Sequence, residues 1–208
     1  MKYVYCSGPL FSPEETASMN AIARVLEADG LGTFLPQRDG LERYVLGFLN
    51  TPFNIDVLGM RDRIDRAIFA LDVFQIVQRC DSLVLNMNGR VPDEGAVAEA
   101  GMAFAAGKPV VLYKNDYRSV FRGKDNSMIL GLSPLSPVSD RNKLPLAITA
   151  VEKMLNRSRP PGKPETPAHM AKILNRGEKI WRFIESYPLK KLGGSRLLPL
   201  FKEILEIE

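Results

Sequence analysis

The stretch that decides the fold spans residues 82–113 and reads SLVLNMNGRVPDEGAVAEAGMAFAAGKPVVLY. Its first residues, Ser82–Met87, form an apolar run that is typical of a buried strand. Pro92–Glu94 then indicates a helix start, because proline suits the first turn and acidic side chains there interact favourably with the helix dipole. The Ala-rich helix ends at Gly107, and Val110–Tyr113 has the composition of another strand. The stretch therefore predicts a strand–helix–strand crossover, the unit that builds parallel sheets.

Glu99 is the unusual residue of the crossover helix. Its neighbours Ala98, Ala100 and Gly101 are small, so the helix can pack closely on a sheet at this point. A carboxylate in this position is either a solvated helix residue or a group directed at a ligand. The spacing alone leaves both interpretations open.

Further segments extend the crossover into a larger sheet. Lys2–Cys6 predicts a first strand, and Ser12–Glu15 combines serine, proline and glutamate in the pattern of a helix start. A second strand is predicted over Gly32–Leu35, a helix over Arg61–Cys80, and a weak fifth strand near Leu135–Val138. The alternation predicts an α/β fold with a doubly wound, parallel, five-stranded sheet in the order 2-1-3-4-5.

The chain is predicted to have two parts. Residues 1–156 form the α/β domain, in which residues 41–60 are interpreted as a lid or excursion with short helical pieces. Residues 157–208 comprise a proline-rich linker and an added C-terminal helical segment. The helices expected there, about Ala168–Ser186 and Ser195–Ile207, carry apolar residues at helical spacing, so they are expected to dock on another surface.

The charge of the chain is uneven. Its net charge is +4, and residues 151–208 hold 12 Lys or Arg against 7 Asp or Glu. A solvated helix face accounts for this excess, with contact to an acidic partner as the alternative, and nucleic acid is not an expected partner.

Composition also limits the cellular compartment and the types of catalytic or metal site that we expect for this protein. No apolar run is long enough to span a bilayer and no signal peptide is recognisable, so a cytoplasmic protein without a membrane partner is expected. Cys6 and Cys80 lie in apolar contexts and are interpreted as free thiols of a reducing compartment. Because His169 is the only histidine, neither a histidine-based metal site nor a Ser-His triad is expected, and no cofactor is predicted.

Two groups of residues are expected to converge at one edge of the sheet. In the predicted strand order, strands 1 and 3 are neighbours and the winding reverses between them, which places a ligand crevice at their carboxyl ends. Tyr5, Gly8 and Phe11 belong to the end of strand 1 and its turn, whereas Asp93 and Glu99 follow strand 3. This convergence favours a functional role for Glu99.

Carboxylates are the remaining candidates for chemistry, because the glycine spacing matches neither a Walker loop nor a dinucleotide-binding loop. Asp72 interrupts the apolar stripe of the helix predicted over Arg61–Cys80. Asp93 and Glu99 lie six residues apart, so they share a pocket only if Asp93 precedes the helix. One carboxylate acting as nucleophile and another as acid or base is the logic of a retaining glycosidase.

These motifs resemble the nucleoside 2-deoxyribosyltransferase family, within the broader superfamily of nucleoside and nucleotide N-glycosidases. The resemblance covers roughly residues 1–135. It is carried by Tyr5–Phe11, by Asp72 ahead of Cys80 and Asp81, by Pro92–Gly101 with Gly107–Pro109, and by Asn126–Met128. It implies a flavodoxin-like fold and a role in nucleotide salvage, the transfer of 2-deoxyribose between nucleobases.

The resemblance also implies catalytic roles. Glu99 would be the nucleophile that attacks C1′, and Tyr5 would donate a hydrogen bond that orients it. Asp72 and Asp93 would bind the base and deliver a proton to it as it leaves. Each residue also has an ordinary interpretation: a strand aromatic, a helix-start acid or exposed helix acids.

Further residues would bind the substrate. Gly8 and Phe11 would lie beside the sugar or base, and Gln37 would contact the base. Asn126 and Met128 would reach a neighbouring subunit's site, which implies a homo-oligomer of at least two chains. The alternatives are a hydrophobic staple for Phe11, a turn residue for Gln37, and loop or core residues for Asn126 and Met128.

Three functions remain open at this stage. The first is deoxyribosyl transfer, with deoxynucleosides and nucleobases as small-molecule partners. The second is hydrolysis of deoxynucleosides or nucleoside 5′-monophosphates by the same chemistry; the loop with only Ser7 and Ser12 favours a free 5′-hydroxyl. The third is a non-catalytic nucleotide-binding module. The turn Pro36–Gly40 and the tail beyond about Asp140 depart from the family pattern, so no base-binding residues are assigned in the tail.

Overall fold

A parallel sheet forms the centre of the protein, which is described here from a computed structural model. The structure describes residues 1–49, 60–118, 124–158, 166–187 and 194–207. In that part of the chain the sheet has four strands, in the order β2-β1-β3-β4. The strands are β1 (Tyr3–Ser7), β2 (Gly32–Phe34), β3 (Ser82–Asn86) and β4 (Val110–Tyr113).

The predicted fifth strand is wrong for the described residues. Val138 forms a single parallel bridge with Tyr113 beside β4, donating to Leu112 O at 2.8 Å. Pro134 and Pro137 flank this position, and a proline offers no N–H for extending a ladder. The reversal of winding between β1 and β3 matches the prediction, because β1 pairs with both β2 and β3.

The helices alternate with the strands along the chain. In the described residues they are α1 (Pro13–Ala28), α2 (Pro36–Asp39), α3 (Glu42–Leu49), α4 (Arg61–Phe74), α5 (Glu94–Ala105), α6 (Ser127–Leu130), α7 (Leu144–Ser158), α8 (Ala168–Ser186) and α9 (Gly194–Glu206). None of them is long and apolar enough to cross a membrane.

Several predictions made from the sequence can be compared with these helices. The predicted helix 61–80 is α4 followed by a π-helical turn over Gln75–Arg79. The excursion predicted over 41–60 contains α3, and its residues 50–59 lie outside the described part, as does the proline-rich linker. The two helices predicted in the tail correspond to α8 and α9.

The sheet separates two hydrophobic layers. Successive side chains of a strand point to opposite faces, so Val4 and Cys6 pack with α1 and α7 while Tyr5 faces the other layer. That second layer combines Tyr5, Leu83 and Leu85 with apolar residues of α4, α5, α8 and α9. The face that carries Tyr5 is therefore the one covered by α4 and α5.

The C-terminal helices complete this layer. Helix α8 approaches α4 so closely that a Cβ on Gly177 would lie 2.1 Å from Ala70 O. Trp181 of α8 meets Phe34 edge-on at 5.8 Å, and the Arg79 guanidinium lies 4.4 Å from the Trp181 ring. Helix α8 thus packs on the helix that carries Asp72.

Replacing Gly177 with alanine is expected to destabilise the protein by about 1–3 kcal/mol, because the added methyl group forces α8 away from the α4 backbone. Chemical denaturation measures the change. Gly101→Ala is the control: its Cβ meets nothing within 4 Å, and alanine favours a helix by up to about 1 kcal/mol. Equal stability of the Gly177→Ala protein and the wild type would contradict this account of the tail.

Candidate active site

The site begins with two residues at the end of β1. Tyr5 and Ser7 are two positions apart, so they share the face of the sheet that α5 covers. In the strand register Tyr5 lies beside Leu83, and Ser7 beside Leu85. Because α5 follows β3, its side chains lie across these two hydroxyl groups. The β1–β3 neighbourhood predicted from the sequence therefore brings the two groups together.

Glu99 of α5 receives a hydrogen bond on each carboxylate oxygen. The Tyr5 hydroxyl donates to Oε1 at 2.8 Å, and the Ser7 hydroxyl lies 2.5 Å from Oε2. Ser7 Oγ also lies 3.2 Å from Ala96 O, one turn earlier in α5. These contacts hold the carboxylate in one orientation. The choice left open by the sequence is resolved: Glu99 is a half-buried, hydrogen-bonded group rather than a solvated helix residue.

The environment makes Glu99 a weak acid. Burial raises its pKa from 4.5 to about 7, because the ionised form loses hydration. The hydrogen bonds from Ser7 and Tyr5 oppose this shift by stabilising the carboxylate, while the nearby Glu42 and Asp93 add to it. Without the two hydroxyl groups the carboxylate would be protonated over a wider pH range.

A cavity of about 340 Å³ opens beside Glu99, between α4 and α5. Its acidic residues are Asp65, Asp72 and Glu99. Its walls are mainly apolar, formed by Ile68, Phe69, Val73, Ile76 and Met102. An apolar pocket with a few convergent polar groups is the usual form of a small-molecule site.

Asp72 stands close to a second acid that the sequence analysis did not single out. The Asp72 side chain is 92% buried, and its Oδ1 receives no hydrogen bond from the described residues. Glu42, the first residue of α3, lies within hydrogen-bonding distance of the Asp72 carboxyl. Burial, followed by the charges of Glu42 and Glu99, holds the pKa of Asp72 well above its usual value. Burial also raises the pKa of Glu42.

Asp93 is the N-cap of α5. Its Oδ1 accepts a hydrogen bond from Ala96 N at 2.8 Å, which is the ordinary role of an aspartate at a helix start. The same residue lies near enough to raise the pKa of Glu99. Asp93 precedes the first helical residue, which is the condition that the spacing sets for Asp93 and Glu99 to share a pocket.

None of the other predicted substrate residues, Gly8, Phe11, Gln37, Asn126 and Met128, lines this cavity. Gly8 has no room for a side chain, since a Cβ there would lie 2.8 Å from Asn86 Cβ. Both amide atoms of Gln37 are buried and unpaired within the described chain. The side chains of Phe11 and Met128 are 76% and 80% exposed, and neither lines the cavity. Asn126 caps α6 by accepting from Met128 N.

Two site residues were missed from the sequence. Ser7 was assigned to the turn, although its spacing of two from Tyr5 places both on one face of a strand. Glu42 lies in the stretch whose pattern was ambiguous, directly after the turn that ends β2. The available signal was its place at the carboxyl edge of the sheet, where ligand crevices form.

A larger cavity of about 610 Å³ lies elsewhere, on the α1 side of the sheet, and shares no lining residue with the first. Two of its charged residues are paired: Arg118 binds Asp116, and this hydrogen-bonded contact lowers the pKa of the Asp116 carboxyl. The chemistry of the unpaired Asp72 oxygen favours the smaller cavity as the reactive site. No group of three or more His, Cys, Asp or Glu suited to a metal is found in the described parts of the chain.

Fold and site together define a class. The protein is an α/β protein with an oriented carboxylate and further acids beside an apolar pocket. Such an arrangement can provide a nucleophile and a general acid for glycosyl transfer. Its sequence matches the family described as Nucleoside 2-deoxyribosyltransferase over residues 4–154. The chain therefore belongs to this family, as the sequence motifs indicated.

Solved structures with a similar fold include proteins of bacteria and of a protozoan. A conserved protein from Enterococcus faecalis V583 is 21% identical, covering 72% of this chain and 98% of that one, with a TM-score of 0.47. A 2-deoxyribosyltransferase from Bacillus psychrosaccharolyticus is 19% identical, covering 79% and 99%, with a TM-score of 0.48. A 2-desoxiribosyltransferase from Leishmania mexicana is 17% identical, covering 73% and 98%, with a TM-score of 0.41.

No curated protein matches the sequence. Because the TM-scores lie below 0.5, the assignment to the family rests on the sequence match over residues 4–154.

Replacing Glu99 with glutamine is expected to raise stability more at pH 8 than at pH 5. The pKa of Glu99 is about 7 in the folded protein against 4.5 in the free side chain. Between these values the unfolded chain loses its proton first, so the wild type loses stability as pH rises, and above about pH 7 the penalty is constant. Glutamine cannot ionise, so the variant does not lose this stability as pH rises.

Denaturant titration at both pH values measures this difference, with Glu94→Gln, an exposed acid of the same helix, as the control. An equal change in stability at pH 5 and pH 8 for Glu99→Gln would show that Glu99 has an ordinary pKa.

Proposed function

We propose that this protein transfers 2-deoxyribose between nucleobases by double displacement, through a glycosyl-enzyme formed on Glu99. The observation that carries the proposal is the pair of hydrogen bonds that Tyr5 and Ser7 make to the Glu99 carboxylate beside an apolar pocket. Membership of the nucleoside 2-deoxyribosyltransferase family supports the same reaction.

Glu99 acts as the nucleophile. When the base leaves, the sugar develops oxocarbenium character at C1′, and a carboxylate at the opposite face forms a covalent ester with that carbon. The absence of a 2′-hydroxyl removes an electron-withdrawing group, so the cation forms more readily in a deoxyriboside. Tyr5 and Ser7 keep both carboxylate oxygens in place and favour the ionised form that attacks.

The base is held by groups with unfilled hydrogen-bonding capacity. Gln37 offers a buried donor and a buried acceptor, which suits the edge of a base that presents one of each. Asp72 offers an unpaired oxygen in the cavity. Asp93 supplies negative charge at the start of α5, next to Glu99. Leaving the Gln37 amide and the Asp72 oxygen unpaired costs free energy, which binding of a base recovers.

Two half-reactions explain why one pocket serves two bases. The first base leaves while the sugar stays on Glu99, and the second base then enters the same place and attacks C1′. Both displacements invert the configuration, so the β-configuration is retained. If water enters instead of a base, the same enzyme hydrolyses the nucleoside, which makes hydrolysis of deoxynucleosides or nucleoside 5′-monophosphates the alternative outcome.

Enzyme incubated with a deoxynucleoside and no acceptor is expected to carry a deoxyribosyl adduct on the peptide that contains Glu99. Mass spectrometry after rapid quenching locates it. Glu99→Ala is expected to lose transfer and hydrolysis by a factor on the order of 10³ or more, because the intermediate cannot form.

Glu94→Ala is the matched control, an exposed acid of the same helix that is expected to leave the adduct unchanged. An α-configured product, or an adduct on Asp72 or Asp93, would overturn the role of Glu99. Binding of a nucleoside without any turnover would point to a non-catalytic nucleotide-binding module.

We propose that the active form is a homo-oligomer in which Asn126 and Met128 complete a neighbour's pocket. Met128 is 80% exposed, so its side chain is available to contact a neighbouring subunit. Met128→Asp is expected to dissociate the assembly and reduce turnover at low enzyme concentration, as measured by light scattering and activity.

Leu146→Asp is the control for this variant, because Leu146 is an equally apolar side chain that is 73% exposed on α7. A wild-type monomer that is fully active at nanomolar concentration would contradict the oligomer.

A further inference from the structure

Three elements bring titratable groups to the Asp72 carboxyl. Glu42 comes from α3, Glu99 from α5, and the Tyr5 hydroxyl from β1. Asp65, which lies on α4 as Asp72 does, lines the same cavity. Helix α8 packs on α4 through Gly177 and adds Leu174 and Ile180 to the apolar interior there. Asp72 is thus placed between an acid of α3 and the nucleophile of the proposed reaction.

One oxygen of Glu42 and one oxygen of Asp72 lack a hydrogen-bond partner among the described residues. Glu42 Oε2 and Asp72 Oδ1 are both buried, and neither receives a hydrogen bond from the described residues. Glu42 Oε2 also folds back over the turn before α3, so that a Cβ on Gly40 would lie 2.5 Å from it. A buried carboxyl pair with so few donors is stabilised when the two groups share a proton.

The neighbouring charges determine which acid holds the proton. The pKa of Asp72 is held well above its usual value by burial, then by Glu42 and Glu99, and the hydrogen bond with Glu42 acts in the same direction. The same hydrogen bond lowers the pKa of Glu42, against the upward effect of burial. Asp72 is also the more deeply buried of the two, since it is 8% exposed whereas Glu42 is half-buried, and the proton is therefore placed on Asp72 with Glu42 as the acceptor.

We infer that Glu42 is a positioning residue that keeps a proton on Asp72, so that Asp72 is ready to protonate the leaving base. This role rests on the proposed transferase function, and it adds Glu42, through Asp72, to the groups that act on the base. It also assigns a purpose to the buried, unpaired Asp72 oxygen that lines the cavity.

The proposed step balances in protons and electrons. Glu99 forms a bond to C1′ while the bond from C1′ to the base breaks, and its electron pair goes to the base. The Asp72 proton passes to the base, leaving Asp72 as a carboxylate. In the second half-reaction the incoming base attacks C1′, its proton returns to Asp72, and the ester electron pair returns to Glu99.

This sequence keeps the negative charge of the pocket constant. Before reaction the carboxylates are Glu42 and Glu99; after the first half-reaction they are Glu42 and Asp72, because the Glu99 ester is neutral. The charge of Glu99 is one of the causes that raise the pKa of Asp72, so losing this charge lowers that pKa. Asp72 therefore becomes a stronger acid as the ester forms, which is when the leaving base needs its proton.

Infrared pH titration tests the pair without requiring activity. At about pH 8.5, where Glu99 is ionised, the wild type is expected to show a protonated carboxyl band that Asp72→Asn lacks. In Glu42→Gln this band is expected to disappear at a lower pH than in the wild type, because the negative neighbour is gone. Asp62→Asn, an exposed acid of α4, is the control and leaves the band unchanged.

Turnover provides the second measurement. In Glu42→Gln the alkaline limb of the pH profile of kcat is expected to shift to lower pH by the same amount as the infrared band. In Glu42→Asp, which retains a carboxyl, the limb is expected to lie nearer its wild-type position. A wild type without the band at about pH 8.5, or a Glu42→Gln protein with unshifted band and limb, would overturn the role of Glu42.

The two proposals fail in different ways. A wild type that neither transfers nor hydrolyses deoxynucleosides overturns the proposed function and this role with it. An active wild type with no shift in Glu42→Gln overturns only the role of Glu42. If Glu42→Gln does not fold, the wild-type band and its loss in Asp72→Asn still decide whether Asp72 holds a proton.

Discussion

The site depends on keeping the Glu99 carboxylate ionised in a place that excludes water. Burial favours the neutral acid, and the hydroxyl groups of Tyr5 and Ser7 oppose it at hydrogen-bonding distance. Both hydroxyl groups come from one strand, and the carboxylate comes from the helix that crosses it. Parallel pairing of β1 with β3 is therefore a condition for the chemistry as well as for the fold. An error in register of one residue would turn both hydroxyl groups to the opposite face.

The same constraint explains how the acids differ in role. Glu99 receives two hydrogen bonds and has a pKa of about 7, whereas Asp72 and Glu42 each have one buried oxygen without a donor among the described residues, and in our proposal the two share a proton. Residues of similar intrinsic acidity are separated by their surroundings into a nucleophile and a proton carrier. Enzymes commonly divide acid and base work in this way. Here the division arises from two hydroxyl groups on one strand and the crowding of three helices around one pocket.

The tail has a structural part in this arrangement. Helix α8 lies against α4 at the level of Ala70, two residues from Asp72, and its close approach requires the absence of a side chain at Gly177. Trp181 extends the contact to Phe34 and Arg79. The family match ends at residue 154, yet residues beyond it support the helix that carries an acid of the site. The excess of basic residues in the tail coexists with a buried apolar stripe, as expected for an amphipathic helix.

The sequence by itself determined the alternation of strands and helices, the neighbourhood of β1 and β3, and the family, because these follow from local apolar periodicity and from short motifs such as the one around Glu99. It also identified Tyr5, Asp72 and Glu99, whose residue types and spacing carry a recognisable chemistry. Only the tertiary structure decided that Ser7 and Glu42 join them, and that Val138 makes one bridge where a fifth strand was expected. The reason is physical: a hydrogen bond across 92 residues, or a proton shared between α3 and α4, depends on how helices pack over a sheet. Local pattern does not encode that packing.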